Sequence, residues 1–146
     1  MNFYSLIYFL FLSGTLIVEI INMLKSILIA GIGGFIGTVL RFLLSKYVQI
    51  HIMSSFPWAT FIINIVGCFA IGLIYGLSEK GNFLSSDLRL FLTVGICGGF
   101  TTYSSFSNEM FILLQNRELI RFLLYSGLSF TLGLFFVFLG RLITKI

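Results

Sequence analysis

From Gly95 to Glu109 the chain reads Gly-Ile-Cys-Gly-Gly-Phe-Thr-Thr-Tyr-Ser-Ser-Phe-Ser-Asn-Glu, a run of small and hydroxyl-bearing residues inside an otherwise apolar stretch. Glycine, serine and threonine all weaken a helix. In a bilayer, backbone groups freed from a helix persist only where protein buries them or a water-filled cavity faces them. A break near residues 98–102 would expose carbonyl oxygens, which bind a small hard cation, and helix ends, which attract ions. The competing reading is close helix packing through Gly95 and Gly99, four residues apart. Packing by itself leaves so many adjacent hydroxyls without a purpose.

Three further groups of residues carry potential chemistry. Thr60, Asn64, Cys68, Gly72 and Gly76 recur every four residues and place a small, polar stripe on one helix face. Asn64 is its costly member: an amide there either bonds across helices or serves a polar pathway. Tyr125 and Ser129 share a face that Gly133 continues, and that face is either wet or close-packed. Arg41 and Glu109 are the ionisable groups nearest the apolar segments; each is open to a structural ion pair or to a direct part in transport. No ladder of acids suggests a proton relay. Cys68 and Cys97 have no metal-ligand spacing and read as small buried residues. His51 is the single histidine, so a histidine-based metal site or a Ser-His-Asp triad is hard to build.

The elements that must position these groups follow from composition. Of 146 residues, 58% are hydrophobic and 10% charged, with a mean hydropathy of +1.09. That balance lies outside the soluble range and implies an all-α integral membrane protein. Four helices are expected, at about residues 25–45, 57–78, 87–114 and 118–143, with the third broken near its middle. Pro57 and Trp58 suit a first turn and an interfacial anchor, Gly81 and Asn82 form a turn, and Asp87 is expected to cap the third helix. The net charge of +4 is spread over nine scattered basic residues, with no run or basic face that would suit a nucleic acid.

Residues 1–22 form an apolar N-terminal extension without the pattern of a signal peptide, preceding a domain at 23–146. Either translation begins at Met23 or the extension is a fifth interfacial or spanning helix. With four spans, Lys25, Lys80, Arg89, Arg141 and Lys145 fall on one side and Arg41, Lys46, Arg117 and Arg121 on the other. Short-loop lysines and arginines set topology, so five against four leaves both orientations open and permits an antiparallel pair.

With these residues in place, the chain resembles the Fluc or CrcB fluoride channels. The resemblance runs through Gly33-Gly34-Phe35-Ile36-Gly37 with Arg41, Thr60 and Asn64 with Gly67, the 98–109 run, and Tyr125 with Ser129. It covers about residues 23–146, and the third-helix run is its most specific part. It implies a dual-topology antiparallel homodimer with two fluoride pathways, in a cell inner or plasma membrane. A central structural sodium ion would be held by backbone carbonyls at Gly98 and Thr101. The pathway would run along Asn64, Tyr103, Phe106, Ser104, Ser105, Tyr125 and Ser129. Tyrosine stands at 103 where the family has phenylalanine, and Gly133 where a further hydroxyl can occur. The implied function is passive fluoride export that lowers cytoplasmic fluoride.

Fluoride is small, strongly hydrated and a pure hydrogen-bond acceptor, so its path must offer donors without a trapping cation. Amide and hydroxyl groups are such donors, and aromatic rings present positive edges. A small proton-coupled anion transporter and a non-transporting membrane scaffold remain the alternatives. An enzyme is disfavoured, since no nucleophile-base pair is legible.

Overall fold

The computed structural model describes residues 3–81 and 83–145, with residues 3–13 as backbone only. The chain is helical nearly throughout. Helix α1 (Phe3–His51) is followed by α2 (Trp58–Glu79), a short α3 (Ser86–Leu90), a π-helical stretch (Phe91–Cys97), one turn of α4 (Gly98–Phe100), α5 (Tyr103–Gln115) and α6 (Leu119–Lys145). Between α4 and α5 the backbone is extended at Thr101 (φ −79°, ψ 158°) and Thr102 (φ −148°, ψ 110°).

Several element boundaries differ from the sequence expectation. Helix α1 is not confined to residues 25–45 but runs unbroken for 49 residues, about 73 Å at 1.5 Å per residue. No proline or loop signal interrupts it between Phe3 and His51. Asp87 is not the cap of α3. Ser85 is, its side chain accepting from the Leu88 N–H, while Asp87 sits in the first turn and pairs with Lys25 of α1. Pro57 lies just outside α2 rather than in its first turn. Of the expected Gly81–Asn82 turn, Gly81 takes φ +131°, a conformation that favours glycine; Asn82 lies outside the described residues, as do Met1 and Asn2 of the extension.

Three helical segments among the described residues are long and apolar enough to cross a membrane: Gly14–His51, Trp58–Glu79 and Leu119–Lys145. Little of their apolar surface is hidden within one chain. Among the described residues the buried hydrophobic ones are Val48, Ile63, Cys97, Leu113 and Tyr125, whereas Leu28, Phe35, Ile120, Phe130 and Phe138 are each more than 60% exposed. A soluble globular chain of this mass exposes about 7,500 Å², against 10,203 Å² here. An apolar solvent must therefore cover the helices.

What holds the helices together is backbone approach rather than a large core. Helix α1 lies against the π stretch and α4 through facing glycines. A Cβ added at Gly33 would meet the Phe91 carbonyl oxygen at 2.7 Å, one at Gly95 would meet the Gly33 Cα at 2.8 Å, and one at Gly37 would meet the Phe100 N at 2.8 Å. Helices α2 and α6 cross in the same way, a Cβ at Gly140 meeting the Phe69 carbonyl at 2.6 Å. Such contact is how helices associate when no water is present to drive them together. The stripe on α2 is thus divided: Gly72 and Gly76 receive α6, while Thr60 and Asn64 turn to α5 and to the extended residues before it.

Overpacking a close contact costs about 1–3 kcal/mol. Gly37→Ala is therefore expected to lower the unfolding midpoint of the detergent-solubilised protein by about 5 °C or more. Gly127→Ala, at a position with nothing within 4 Å, is expected to leave it unchanged. Thermal unfolding followed by circular dichroism checks both.

Candidate functional site

The site is organised by the two extended residues. An α-helix continued through Thr102 would bond its N–H to the Gly98 carbonyl, four residues back. Instead the Thr102 N–H donates to Asn64 Oδ1 at 2.9 Å, and Asn64 Nδ2 donates to the Thr102 carbonyl at 3.2 Å. One amide side chain on α2 thus satisfies both backbone groups of the residue that leaves the helix. Leaving either unpaired when buried would cost about 1–3 kcal/mol. The second Nδ2 hydrogen of Asn64 is not needed for this clasp.

Thr102 also starts the next helix. Its Oγ1 accepts from the Ser105 N–H at 3.3 Å, an N-cap, and lies 3.0 Å from Ser105 Oγ and 3.3 Å from Ser104 Oγ. The N-terminus of the 13-residue α5 therefore opens at the break with its uncapped N–H groups and the positive end of its dipole, a setting that favours an anion. The preceding turn presents carbonyls, which favour a cation. A single interruption offers both polarities.

Two layers of side chains line this point. In the first, Asn64, Tyr103, Phe106, Ser129 and Phe130 enclose a cavity of about 190 Å³. Tyr103 and Phe106 lie with ring centroids 6.0 Å apart. Ser129 Oγ is buried without a hydrogen-bond partner, so a donor hydroxyl and a spare amide hydrogen border the same space as two aromatic rings. In the second layer, Thr60, Thr102 and Ser105 border a cavity of about 230 Å³ together with Thr38, Arg41 and Ser45. Arg41 makes no ion pair among the described residues.

Glu109 is held by hydroxyls rather than by an arginine. Thr60 Oγ1 donates to its Oε1 and Tyr125 OH to its Oε2, each at 2.7 Å. Tyr125 is wholly buried, its ring stacked edge-on to Phe56 at 5.4 Å and tilted against Phe106 at 5.0 Å. The tyrosine thereby links α6, α5 and the connection before α2.

The residues singled out in the sequence are thus brought together unevenly. Asn64, Tyr103, Phe106 and Ser129 share one cavity. Ser105 borders the Arg41 cavity, and Ser104 joins the cap cluster. Tyr125 has its hydroxyl committed to Glu109. Gly98 is exposed and Thr101 half-buried at the end of α4, with the Thr101 hydroxyl donating to the Cys97 carbonyl at 2.9 Å. Two roles were not read from the sequence. Thr102 is the pivot of the break, a role its three-residue spacing to Ser105 signals as a cap. Thr60 is the support of Glu109, 49 positions away in the chain.

Residues 28–141 match the family described as CrcB-like protein, Camphor Resistance (CrcB). The chain is 43% identical over 122 residues to the fluoride-specific ion channel FluC of Flavobacterium psychrophilum, covering 84% of this chain and 98% of that protein. It is 44% identical over 123 residues to a protein of the same name from Azobacteroides pseudotrichonymphae, covering 84% and 98%. With the one from Thermus thermophilus the identity is 46% over 117 residues, covering 80% and 93%. Because the match takes in all the helices that build the break and its two cavities, the chain belongs to the CrcB family.

Proposed function

We propose that this protein is a fluoride-selective channel that passes the ion passively across the membrane and so lowers cytoplasmic fluoride. The observation that carries the reading is the 190 Å³ cavity, where the Ser129 hydroxyl, the Asn64 amide and the rings of Tyr103 and Phe106 converge at the positive end of α5. Fluoride gives up a tight hydration shell and needs donors in return. The unpartnered Ser129 hydroxyl and the spare amide hydrogen are donors, and ring edges add weak positive charge. Neither Arg41 nor any other full cation borders this cavity, so the site stabilises an anion without holding it.

The finer architecture belongs to the same reading. Residues 86–115 act as the third of four spans, interrupted at Thr101 and Thr102. Two chains pair in antiparallel orientation, a pairing supported by the near-balance of basic residues on the two sides. Extensive apolar exposure on a single chain is consistent with a second copy. A sodium ion bound between the copies would take the carbonyls of Gly98 and Thr101. The donor set fits such an ion: Thr102's N–H is turned to Asn64, which frees the Gly98 carbonyl from its helical partner, and Gly98 faces outward. The chain is a multi-pass membrane protein, and the proposed site of action is the inner or plasma membrane of the cell.

Purified protein in liposomes is expected to release fluoride, read with a fluoride electrode, while retaining chloride. The flux is expected to be electrogenic and to need no proton gradient. An absence of fluoride release overturns the channel reading, and strict coupling to protons moves it to a transporter.

Three substitutions at two positions separate the roles within the cavity. Asn64→Asp places a carboxylate beside the anion and removes the donor to the Thr102 carbonyl; flux is expected to fall at least about tenfold. Tyr103→Phe keeps the ring edge and is expected to hold flux within about twofold, whereas Tyr103→Ile removes it and is expected to lower flux more than about tenfold. Electrode traces at matched protein density measure all three.

A further inference from the structure

The first part of α1 lies outside the bundle. Every residue from Gly14 to Lys25 is exposed, and the 28–141 family match begins only after them. Their level in the membrane follows from α1 itself. Lys25 pairs with Asp87 in the first turn of α3, and Glu79 at the end of α2 pairs with Arg141 of α6 at the same end of the bundle. From Lys25 to the next lysine, Lys46, the helix rises about 31 Å, close to the roughly 30 Å of a hydrocarbon core. Headgroups add only about 5–7 Å on each side. Residues 14–20, continued straight, would therefore stand in water, among them Leu16, Ile17, Val18 and Ile20, each more than half exposed.

Something apolar must cover them. Thr15, Glu19, Asn22 and Ser26 recur at spacings of four, three and four and so share one narrow stripe of the helix. The large apolar residues from Leu16 to Leu24 fill the rest, an arc of about 220° at about 100° per residue. A seam between two helices covers only a narrow stripe, so a second copy would leave much of this arc wet. A bilayer surface covers all of it. The arc is also continuous with Ile27, Leu28, Ile32 and Phe35, the side that the spanning part of α1 leaves exposed to lipid. The polar stripe leads instead into Gly33 and Gly37, which meet the π stretch and α4.

A bend is provided for at the junction. Ser26 Oγ donates to the Asn22 carbonyl at 2.9 Å, and a hydroxyl bonded back to the carbonyl four residues earlier bends a helix. Both residues lie on the stripe, and the side whose carbonyls tilt outward becomes the convex one. The apolar arc is then concave. We propose that residues 14–24 are a membrane-surface helix: α1 bends at Asn22–Ser26 and lays its extension on the lipid beside the bundle. The apolar arc sits in the boundary between headgroups and acyl chains, with Thr15 and Glu19 toward water. Because this arc is the one that α1 already turns to lipid, the extension folds outward and leaves the end of the bundle open. The inference does not rest on the channel reading.

The test places a tryptophan on each face of the full chain. Trp58 is the single tryptophan, so Ile17→Trp and Glu19→Trp are each made together with Trp58→Phe and reconstituted in phosphatidylcholine vesicles. The lipids carry bromine either near the start of the acyl chain or near its end. Ile17→Trp is expected to be quenched at least about twofold more by bromine near the start than near the end, and Glu19→Trp to be quenched little by either. Should Trp58→Phe fail to fold, the same two variants with Trp58 retained give the result as the difference from the unmodified protein. Strongest quenching by bromine near the chain end, alike at both positions, overturns the proposal in favour of a spanning segment. No quenching at either position overturns it in favour of a helix that projects from the membrane. Quenching of Ile17→Trp that disappears as protein density rises overturns it in favour of a second copy.

Discussion

A peptide group that leaves a helix in an apolar surround must find new hydrogen-bond partners, and in this protein the most exacting case is Thr102. Its N–H and carbonyl both turn to Asn64, which lets the chain stay extended for two residues at the cost of one polar side chain. The rest of the site depends on this clasp. It sets where α5 begins, so that Thr102 caps it and Tyr103 and Phe106 follow within one turn. It also withdraws the N–H that would have paired the Gly98 carbonyl. The same substitution of partners therefore creates the anion-favouring and the cation-favouring ends of the break.

Keeping Asn64 within reach of Thr102 requires that α1, α2 and the 86–100 segment be fixed to better than an ångström or so. Side chains interdigitating in a core do not supply this, because few are buried. Glycines do. Gly33, Gly37, Gly95 and Gly99 bring α1 onto the π stretch and α4, and Gly67 leaves room for the Thr101 methyl beside α2. The second anchor is the Thr60–Glu109–Tyr125 bridge, which ties α2, α5 and α6. A carboxylate kept in an apolar setting is expensive unless hydrogen-bonded, and two hydroxyls at 2.7 Å meet that need.

Much of this was legible in the residues. The membrane class follows from composition, because a chain with 58% hydrophobic and 10% charged residues cannot hide its apolar surface in water. The position of the break lies inside the glycine and hydroxyl run, since those residue types oppose helix and supply their own capping groups. That Asn64, Tyr103, Phe106 and Ser129 form one group was read through the family resemblance. Element ends were less legible. Ser85 and Asp87 are both good caps by type, and only the hydrogen bond to Leu88 decides between them.

The sequence by itself determined the solvent, the helical periodicity and the place where the helix gives way, because hydropathy and local propensity act over a few residues. Tertiary structure alone decided what the polar groups do. Asn64 and Thr102 are 38 positions apart and Thr60 and Glu109 are 49 apart, so their pairing depends on how far glycines allow the helices to approach. The same holds for Tyr125, whose spacing to Ser129 suggested a shared polar face. Its ring is enclosed by Phe56, Phe61 and Phe106 from other segments, which turns its hydroxyl to Glu109. Periodicity specifies which face a residue occupies; only packing specifies which neighbour that face meets.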